Sequence, residues 1–526
     1  MKFPASNIVV HADSGPGVGW GHLTRATAIA QAWLRLGARP LIVSETAPDW
    51  LKLLWLQSAI ASEQTNFCLD PIEMANKLAR FAASHQASTI LLDGYRFGDE
   101  YETALAGEGI QVAAIDDYGH ANHRAASLIV NPNVYAANLE YHAAMCPVLK
   151  GPSFVLLRDD VRQYGPSLNS ARQSDLRVKR ILISLGGADA ENVTGRVLRC
   201  LEKCRLPTNI KIDVVVSPAS PIVATLKQLV ADLGINSEVH AGTSHFAHLA
   251  SRSDIAISAA GSTLYELAHL GVPTIAVAIA QNQIAVGREM GSRGAVIFLG
   301  THQDVADAEW TATIEKLIHD AQTRATMSGR GRQLIDGCGA DRVATRLAIG
   351  IVSLRPAQSD DSAFLLGLRN EESVRANSFD PNPVDVGSHQ TWLNRKLNDD
   401  DVNIWIGQSA GGQPLGQVRV ECDPASGVAT ISIAIVESYR GLGLAEQLLR
   451  VACRHAVERP AVRSVRALVK SDNFGSIRAF EKAGFRTSHD STLREDGVVI
   501  LDWTEQSNKN VRNESRELNR LGCCGI

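Results

Sequence analysis

The stretch His11-Ala-Asp-Ser-Gly-Pro-Gly-Val-Gly-Trp-Gly-His22-Leu-Thr-Arg25 decides how this chain is read. It follows a short apolar, β-prone run, Ile8-Val9-Val10, and leads into an apolar-periodic segment, 28–36, that stops at Gly37. The order is strand, glycine loop, helix, which opens a parallel β-α unit. Gly15, Gly17, Gly19 and Gly21 carry no Cβ to keep a ligand from the backbone N–H groups at the helix start, an arrangement that suits an anion. His22 stands at the mouth of this loop, where an imidazole can take or give a proton near neutral pH. The plainer reading is a glycine-rich turn with a capping histidine, and the glycine pattern by itself does not separate the two.

Working outward, strand-length apolar runs alternate with helical stretches up to residue 160. Segments 8–10, 40–43, 89–92, 111–115 and 128–130 are the expected strands, giving a parallel sheet with helices on both faces. Three of them run into polar residues: Asp93-Gly94-Tyr95-Arg96, Asp116-Asp117 and Asn131-Pro132-Asn133. Ligands of open α/β sheets bind outside the carboxyl ends of the strands, so these residues belong to one candidate site with His22. Tyr95 could hydrogen-bond a hydroxyl or position water, or only pack; Asp116 and Asp117 could be a base or could order their loop by accepting backbone N–H bonds, and the structural role is preferred. A polar segment, 158–179, looks like a linker.

The pattern then restarts with Leu185-Gly186-Gly187-Ala-Asp189, a helix over 191–202, and strands at 212–216, 237–240, 254–258 and 274–278. In this half Gly261, Ser262 and Thr263 open a helix and can hold a diphosphate. Glu266, one turn in, could accept two hydrogen bonds from ribose hydroxyls, and Asn282 and Gln283 offer amides toward the cleft. A capped helix with a surface glutamate is the plain alternative.

Composition narrows the class. The 526 residues are 45% hydrophobic and 21% charged, ordinary for a globular protein of several domains, and a net charge of -4 gives no reason to expect nucleic acid as partner. Nine cysteines show no metal-ligand spacing, so free thiols in a reducing compartment are expected, without metal. The N-terminus has no long apolar signal region, and the most apolar run, 274–280, is too short to span a bilayer. A cytoplasmic protein without a membrane partner is expected.

The composition changes near Leu354-Arg355-Pro356-Ala357, where an antiparallel pattern begins at 403–406, 413–421 and 429–436. Glu437-Ser-Tyr-Arg440-Gly441-Leu442-Gly443-Leu444-Ala445 then leads into an amphipathic helix, and consecutive N–H groups in such a turn can bind a pyrophosphate. A strand, 465–469, and Asn473-x-x-Ser476-x-x-x-Phe480-x-x-x-Gly484-Phe485 complete the series. Glu437 could be a base or merely end a strand. Residues 506–526 are polar and read as a disordered or loosely helical tail.

Two resemblances follow. Asp13, Gly19-x-Gly21-His22-x-x-Arg25, Asp93-Gly94-Tyr95, Asp116-Asp117, Asn131-Pro132-Asn133, Leu149-Lys150-Gly151, Leu185-Gly186-Gly187 and Gly261-Ser262-Thr263-x-x-Glu266 with Asn282-Gln283 resemble the nucleotide-sugar enzymes of the GT-B fold. Within these they resemble the UDP-sugar hydrolases of the pseudaminic acid pathway. The turn at Arg440 with Asn473, Ser476 and Phe480 resembles the GNAT N-acetyltransferases.

The resemblances imply an α/β chain: a GT-B-like pair of Rossmann-type domains (1–160 and 175–348), then a mixed α/β GNAT domain (352–505) and the tail. They imply His22 as catalytic base and Tyr95 as an assisting group. Asp13, Gly19, Gly21, Arg25, Gly187, Asn192, Gly261, Ser262, Thr263, Glu266, Asn282 and Gln283 would bind a UDP-sugar. Ile435, Val436, Arg440, Gly441, Leu442, Gly443, Leu444, Ala445, Asn473, Ser476 and Phe480 would bind acetyl-CoA. The implied reactions are hydrolysis of UDP-2,4-diacetamido-2,4,6-trideoxy-β-L-altrose to UDP and the free sugar, and acetyl-CoA-dependent N-acetylation of its 4-amino precursor. This chain has His11 where the hydrolases usually carry arginine, and Phe480 where the acetyltransferases commonly carry a tyrosine acid. The rival readings are a GT-B glycosyltransferase fused to an acetyltransferase, and a non-catalytic nucleotide-sugar-binding protein.

Overall fold

The computed structural model describes all residues except 1–5, 16–17, 19, 66–69, 142–145, 166–176, 187–188, 190, 208, 218–219, 243–244, 489–496 and 505–526, the last of which include the expected tail. The chain forms two units, Met1–Thr345 and Arg346–Ile526.

The first unit holds two parallel sheets. In the first, β1 (Asn7–Ala12), β2 (Pro40–Ser44), β3 (Ala61–Gln64), β4 (Ala87–Asp93), β5 (Gln111–Ile115), β6 (Leu128–Asn131) and β7 (Val148–Lys150) lie in the order β3-β2-β1-β4-β5-β6-β7. In the second, β8 (Arg180–Ser184), β9 (Lys211–Val216), β10 (Ser237–Ala241), β11 (Ile255–Ala259), β12 (Thr274–Ala278) and β13 (Ile297–Thr301) lie in the order β10-β9-β8-β11-β12-β13. Both are Rossmann-type orders, in which the direction of winding reverses beside the first strand and opens a crevice at the strands' carboxyl ends. The reversal falls between β1 and β4 in one sheet and between β8 and β11 in the other. These central strands are almost wholly buried, because helices cover both faces, and that explains their unbroken apolar runs.

The helix Gly339–Ile349 begins against the first half. A Cβ on Gly339 would lie 2.2 Å from the Val155 carbonyl oxygen, so only glycine permits this approach. Arg35 then reaches both Asp159 and Asp341, each at 2.6 Å.

The second unit is a mixed sheet of β14 (Ser353–Pro356), β15 (Val402–Gln408), β16 (Pro414–Asp423), β17 (Val428–Ile435), β18 (Ser464–Lys470), β19 (Arg486–Thr487) and β20 (Val498–Trp503), in the order β14-β15-β16-β17-β18-β20-β19. Its pairs are antiparallel except β17 with β18. That parallel pair is registered only from Val428 opposite Ser464 to Thr430 opposite Arg466; beyond it the two strands part. No described helix is long and apolar enough to cross a membrane.

The strands expected from sequence form, and further ones join them. β3 is four exposed residues, Ala-Ser-Glu-Gln, at a sheet edge, where no apolar pattern is needed. The expected linker at 158–179 is in part folded: Arg158 is buried and the helix Asp159–Arg162 follows it.

Candidate active sites

The first site is built where β1 and β4 end. The helix Gly21–Arg35 places His22 and Arg25 on one face, three residues apart, so both side chains reach the end of β4. His22 Nδ1 lies 2.6 Å from Asp93 Oδ1 and 2.9 Å from Arg25 Nη2; the shorter contact is to a carboxylate, which can only accept, and this assigns the ring proton to Nδ1. Asp93, fully buried, also accepts from Arg25 Nη2 at 2.6 Å and Nε at 3.0 Å. With Nδ1 thus occupied, the His22 proton acceptor is Nε2, which has no hydrogen-bond partner among the described residues. The carboxylate fixes both the ring's orientation and its tautomer.

Asp117 ties the rest of the site together. Its carboxylate accepts from Arg25 Nη1 at 2.7 Å, Tyr95 Oη at 2.9 Å and Asn133 Nδ2 at 2.8 Å. Burial would raise its pKa, but the Arg25 charge and these hydrogen bonds outweigh burial and hold it below the usual carboxylate range. Burial, with the Asp117 charge beside it, pushes the Tyr95 phenol well up, so Tyr95 keeps its proton and donates. The Tyr95 ring meets His22 edge-on, with centroids 5.1 Å apart. Gly94 is required here, since a Cβ would fall 2.3 Å from that of Asp13.

Asp13 itself is bound by Arg96, through Nε at 2.8 Å and also through Nη2. His11 is fully buried against Phe97 and takes a hydrogen bond from Tyr101 at 2.9 Å. Burial, with Arg96 nearby, lowers its pKa to about 3, so it is a neutral core residue rather than a replacement for a cationic ligand. Behind Asp117, Asp116 accepts N–H groups from Tyr118, Gly119 and His120 and pairs with His120 at 3.0 Å and His123 at 2.9 Å. His123 also meets Glu102 at 2.5 Å. Burial opposes charge on His123, but the two carboxylates outweigh it and raise its pKa to about 9. These N–O separations are those of direct hydrogen bonds, and the cluster pins the turn that presents Asp117.

In the second half, Ser262 precedes the helix Thr263–His269, and Gly261 faces Gln283: a Cβ on Gly261 would lie 3.7 Å from Gln283 Nε2. Gln283 Oε1 accepts the Ile279 N–H at 3.0 Å, while Asn282 is exposed. Glu266 lies 3.5 Å from Arg158, whose guanidinium sits 5.4 Å from the Trp50 ring centroid. Burial raises the Glu266 pKa to about 7, with Arg158 opposing. Tyr265 donates to Asn133 Oδ1 at 3.1 Å, so the helix carrying Glu266 is joined through Asn133 to Asp117 and the His22 cluster. Asn192 is used locally: from a left-handed conformation its Oδ1 caps Gly195 N–H at 3.0 Å. Gly21 starts its helix, and Gly19 and Gly187 lie outside the described residues.

Sequence reasoning placed His22, Tyr95 and Arg25 together and the structure does the same. Asp117 and Asn133, placed at the same site by their strand ends, are there too, whereas Tyr265 and Arg158 were not singled out for the site. Asp117 follows Asp116 directly, yet the two point into different networks, which the pair's spacing does not reveal. Arg158 is the first residue of the stretch that reads as a linker, and its polar neighbours gave no sign of its burial.

The second site lies where β17 and β18 part. Gly441 and Gly443 have φ of 76° and 75°, a left-handed turn that glycine adopts without strain, and the helix Leu444–Val457 follows. The side chains of Leu442 and Leu444 are buried, so this turn offers its backbone. Ile435 and Val436 end the free edge of β17, and Val436 N–H bonds Leu415. Glu437 is exposed and opens a single turn before Arg440. The Arg440 guanidinium bonds Ile435 O at 2.9 Å, Ser373 Oγ at 2.7 Å and Glu371 at 2.8 Å. Asn473 caps its helix by accepting Ser476 N–H at 3.1 Å. Phe480 is buried and packs edge-on against Phe485 at 5.0 Å.

Residues 352–486 match the family described as Acetyltransferase (GNAT) domain. The chain is similar to the spore coat polysaccharide biosynthesis protein SpsG of Bacillus subtilis, 26% identical over 204 residues, 38% of this chain and 58% of that protein. It thus spans little more than half the length of that relative. It is also similar to the SPbeta prophage-derived uncharacterized N-acetyltransferase YokL of Bacillus subtilis, 27% identical over 135 residues, 26% of this chain and 75% of that protein. Among solved structures, Acinetobacter baumannii MurG aligns with 65% of this chain and 99% of its own at 17% identity and a TM-score of 0.48. The chain joins two parallel sheets of Rossmann-type order to a mixed sheet that carries the match to the acetyltransferase (GNAT) domain family.

Proposed function

We propose that the first unit hydrolyses a UDP-sugar, UDP-2,4-diacetamido-2,4,6-trideoxy-β-L-altrose, and that the second acetylates the 4-amino group of its precursor. The observation that carries the hydrolase reading is the Asp93–His22 pair at 2.6 Å beside Tyr95, joined by Asn133 to the helix that bears Glu266. In this reading the diphosphate lies at Gly261–Thr263 and the ribose hydroxyls at Glu266. The sugar then faces His22.

Water attacks the anomeric carbon, His22 Nε2 takes its proton, and the bond from that carbon to the diphosphate oxygen breaks with its electron pair leaving on UDP. Asp93 stabilises the imidazolium that results. Tyr95, whose single O–H goes to Asp117, offers its phenol oxygen as acceptor to a sugar hydroxyl or to the water. In the second unit the amine nitrogen attacks the thioester carbonyl and coenzyme A leaves as the thiol; the free edge of β17 and the Gly441–Leu444 turn hold the coenzyme. The polysaccharide-biosynthesis role in the name of the SpsG relative supports a sugar substrate.

The test is UDP release from the purified chain without any acceptor, with products identified by NMR in the presence and absence of acetyl-CoA. Hydrolysis predicts UDP and free sugar without acceptor, and His22→Ala should abolish release while UDP still binds. Release only when an acceptor is added would give the first unit to a glycosyltransferase, and binding without turnover to a nucleotide-sugar-binding protein.

A further inference from the structure

Beyond Thr430 and Arg466 the parallel strands β17 and β18 separate, so Ile431–Ile435 and Ala467–Lys470 face an opening. Because the strands are parallel, their carboxyl ends, Ile435 and Lys470, lie on the same side of it. Between them runs the segment from Glu371 through the short helix Glu372–Ala376. It is fastened at both ends. On the β17 side, Arg440 holds Ser373 at 2.7 Å and Glu371 at 2.8 Å while its Nε stays on the Ile435 carbonyl. On the β18 side, Lys470 Nζ donates to the Ala376 carbonyl at 2.9 Å. The segment therefore crosses the carboxyl edge of the opening into which the acetyl group must be delivered.

We propose that Arg440 is a positioning residue for the acceptor rather than a ligand of the coenzyme's pyrophosphate. Each of its three guanidinium nitrogens already holds a protein partner, and the negative charge it compensates is that of Glu371. The pyrophosphate is left to backbone N–H groups of the Gly441–Leu444 turn, which the left-handed glycines expose. Arg440 thus connects the coenzyme turn to the wall against which the amine must sit. Loss of its fork would free the 371–376 segment without removing a phosphate contact. Lysine cannot replace it, because one ammonium cannot reach a carbonyl, a hydroxyl and a carboxylate in the fixed geometry of the guanidinium.

The experiment uses the full chain and coenzyme A as probe. Calorimetry on Arg440→Gln and Arg440→Lys should return a Kd for coenzyme A within about threefold of the parent, whereas Gly443→Val should weaken it at least tenfold. Hydrogen exchange of residues 371–376 should accelerate at least tenfold in Arg440→Gln and Glu371→Gln and stay unchanged in Gly443→Val. A tenfold or greater loss of coenzyme affinity in Arg440→Gln, or unchanged exchange over 371–376, overturns the proposal. Acetylation of the 4-amino UDP-sugar adds a kinetic arm: Arg440→Gln should raise the acceptor KM about tenfold and leave the acetyl-CoA KM within threefold. This arm alone rests on the substrate proposed above. If the parent does not acetylate that sugar, the substrate reading fails while calorimetry and exchange still decide the role of Arg440.

Discussion

Replacing Asp93 by asparagine tests the core of the hydrolytic site, since the change keeps the shape and removes the charge. Asp93 is fully buried and receives one bond from His22 at 2.6 Å and two from Arg25 at 2.6 and 3.0 Å. An amide cannot satisfy both partners. If its oxygen accepts from His22, its NH2 group points at Arg25 donors; if it turns round, its N–H donates to Nδ1 and forces the imidazole proton onto Nε2, the nitrogen that must accept. The second arrangement disables the base, and the first removes the charge that stabilises the imidazolium and sets N–H groups against Arg25. Loss of positioned general-base catalysis costs about 10²- to 10⁴-fold in kcat, or about 3 to 6 kcal/mol at about 1.4 kcal/mol per factor of ten. Stability falls less, by about 1 to 3 kcal/mol, because Arg25 retains Asp117. The assay is UDP release under saturating UDP-sugar, with calorimetric UDP binding and thermal melting as controls. If Asp93 works through His22, the double variant His22→Ala with Asp93→Asn should be no slower than His22→Ala alone, within about threefold. Turnover of Asp93→Asn within threefold of the parent, with the protein folded, would refute the reasoning.

Two further outcomes follow from titrating groups. Glu266, raised to about 7 by burial, is largely protonated below that pH in the unliganded protein; if its carboxylate accepts ribose hydroxyls, UDP affinity should rise with pH up to about 7 and then level, and Glu266→Gln should flatten the profile in calorimetric titrations. His123, raised to about 9 between Asp116 and Glu102, contributes stability that is fully present below its unfolded pKa of about 6.5 and is lost as pH rises through about 9. Melting temperature should therefore fall across that window in the parent, and His123→Gln should lower it at pH 6.5 and remove most of the decline.

The parallel architecture of the first unit was legible because its central strands are buried on both faces. Ile8–Val10 and Ile255–Ile257 must be apolar wherever helices cover them, and a glycine loop after such a strand has few readings. Edge strands carry no such requirement, and so β3 and β19, exposed along their length, left no trace in the pattern. The site was legible in its strand-end residues but not in its wiring. Nothing in Asp116-Asp117 tells that one carboxylate closes its own turn while its neighbour collects Arg25, Tyr95 and Asn133 from three other segments. Arg440 was found by its motif, yet the motif specifies a turn of backbone, and the direction of the long side chain is decided by Glu371 and Ser373, almost 70 residues earlier.

The tie between Arg35, Asp159 and Asp341 has a mechanical meaning for the first unit. The chain passes from one Rossmann-type half to the other after Arg162 and returns before Asp341, and Arg162 bonds Asp341 at 2.5 Å while Arg35 grips both sides. The two passages are therefore pinned side by side. The halves also meet away from these passages, where Tyr265 donates to Asn133 at 3.1 Å and Arg158 stands 3.5 Å from Glu266, so the seam between them is held at its edge and at the site alike.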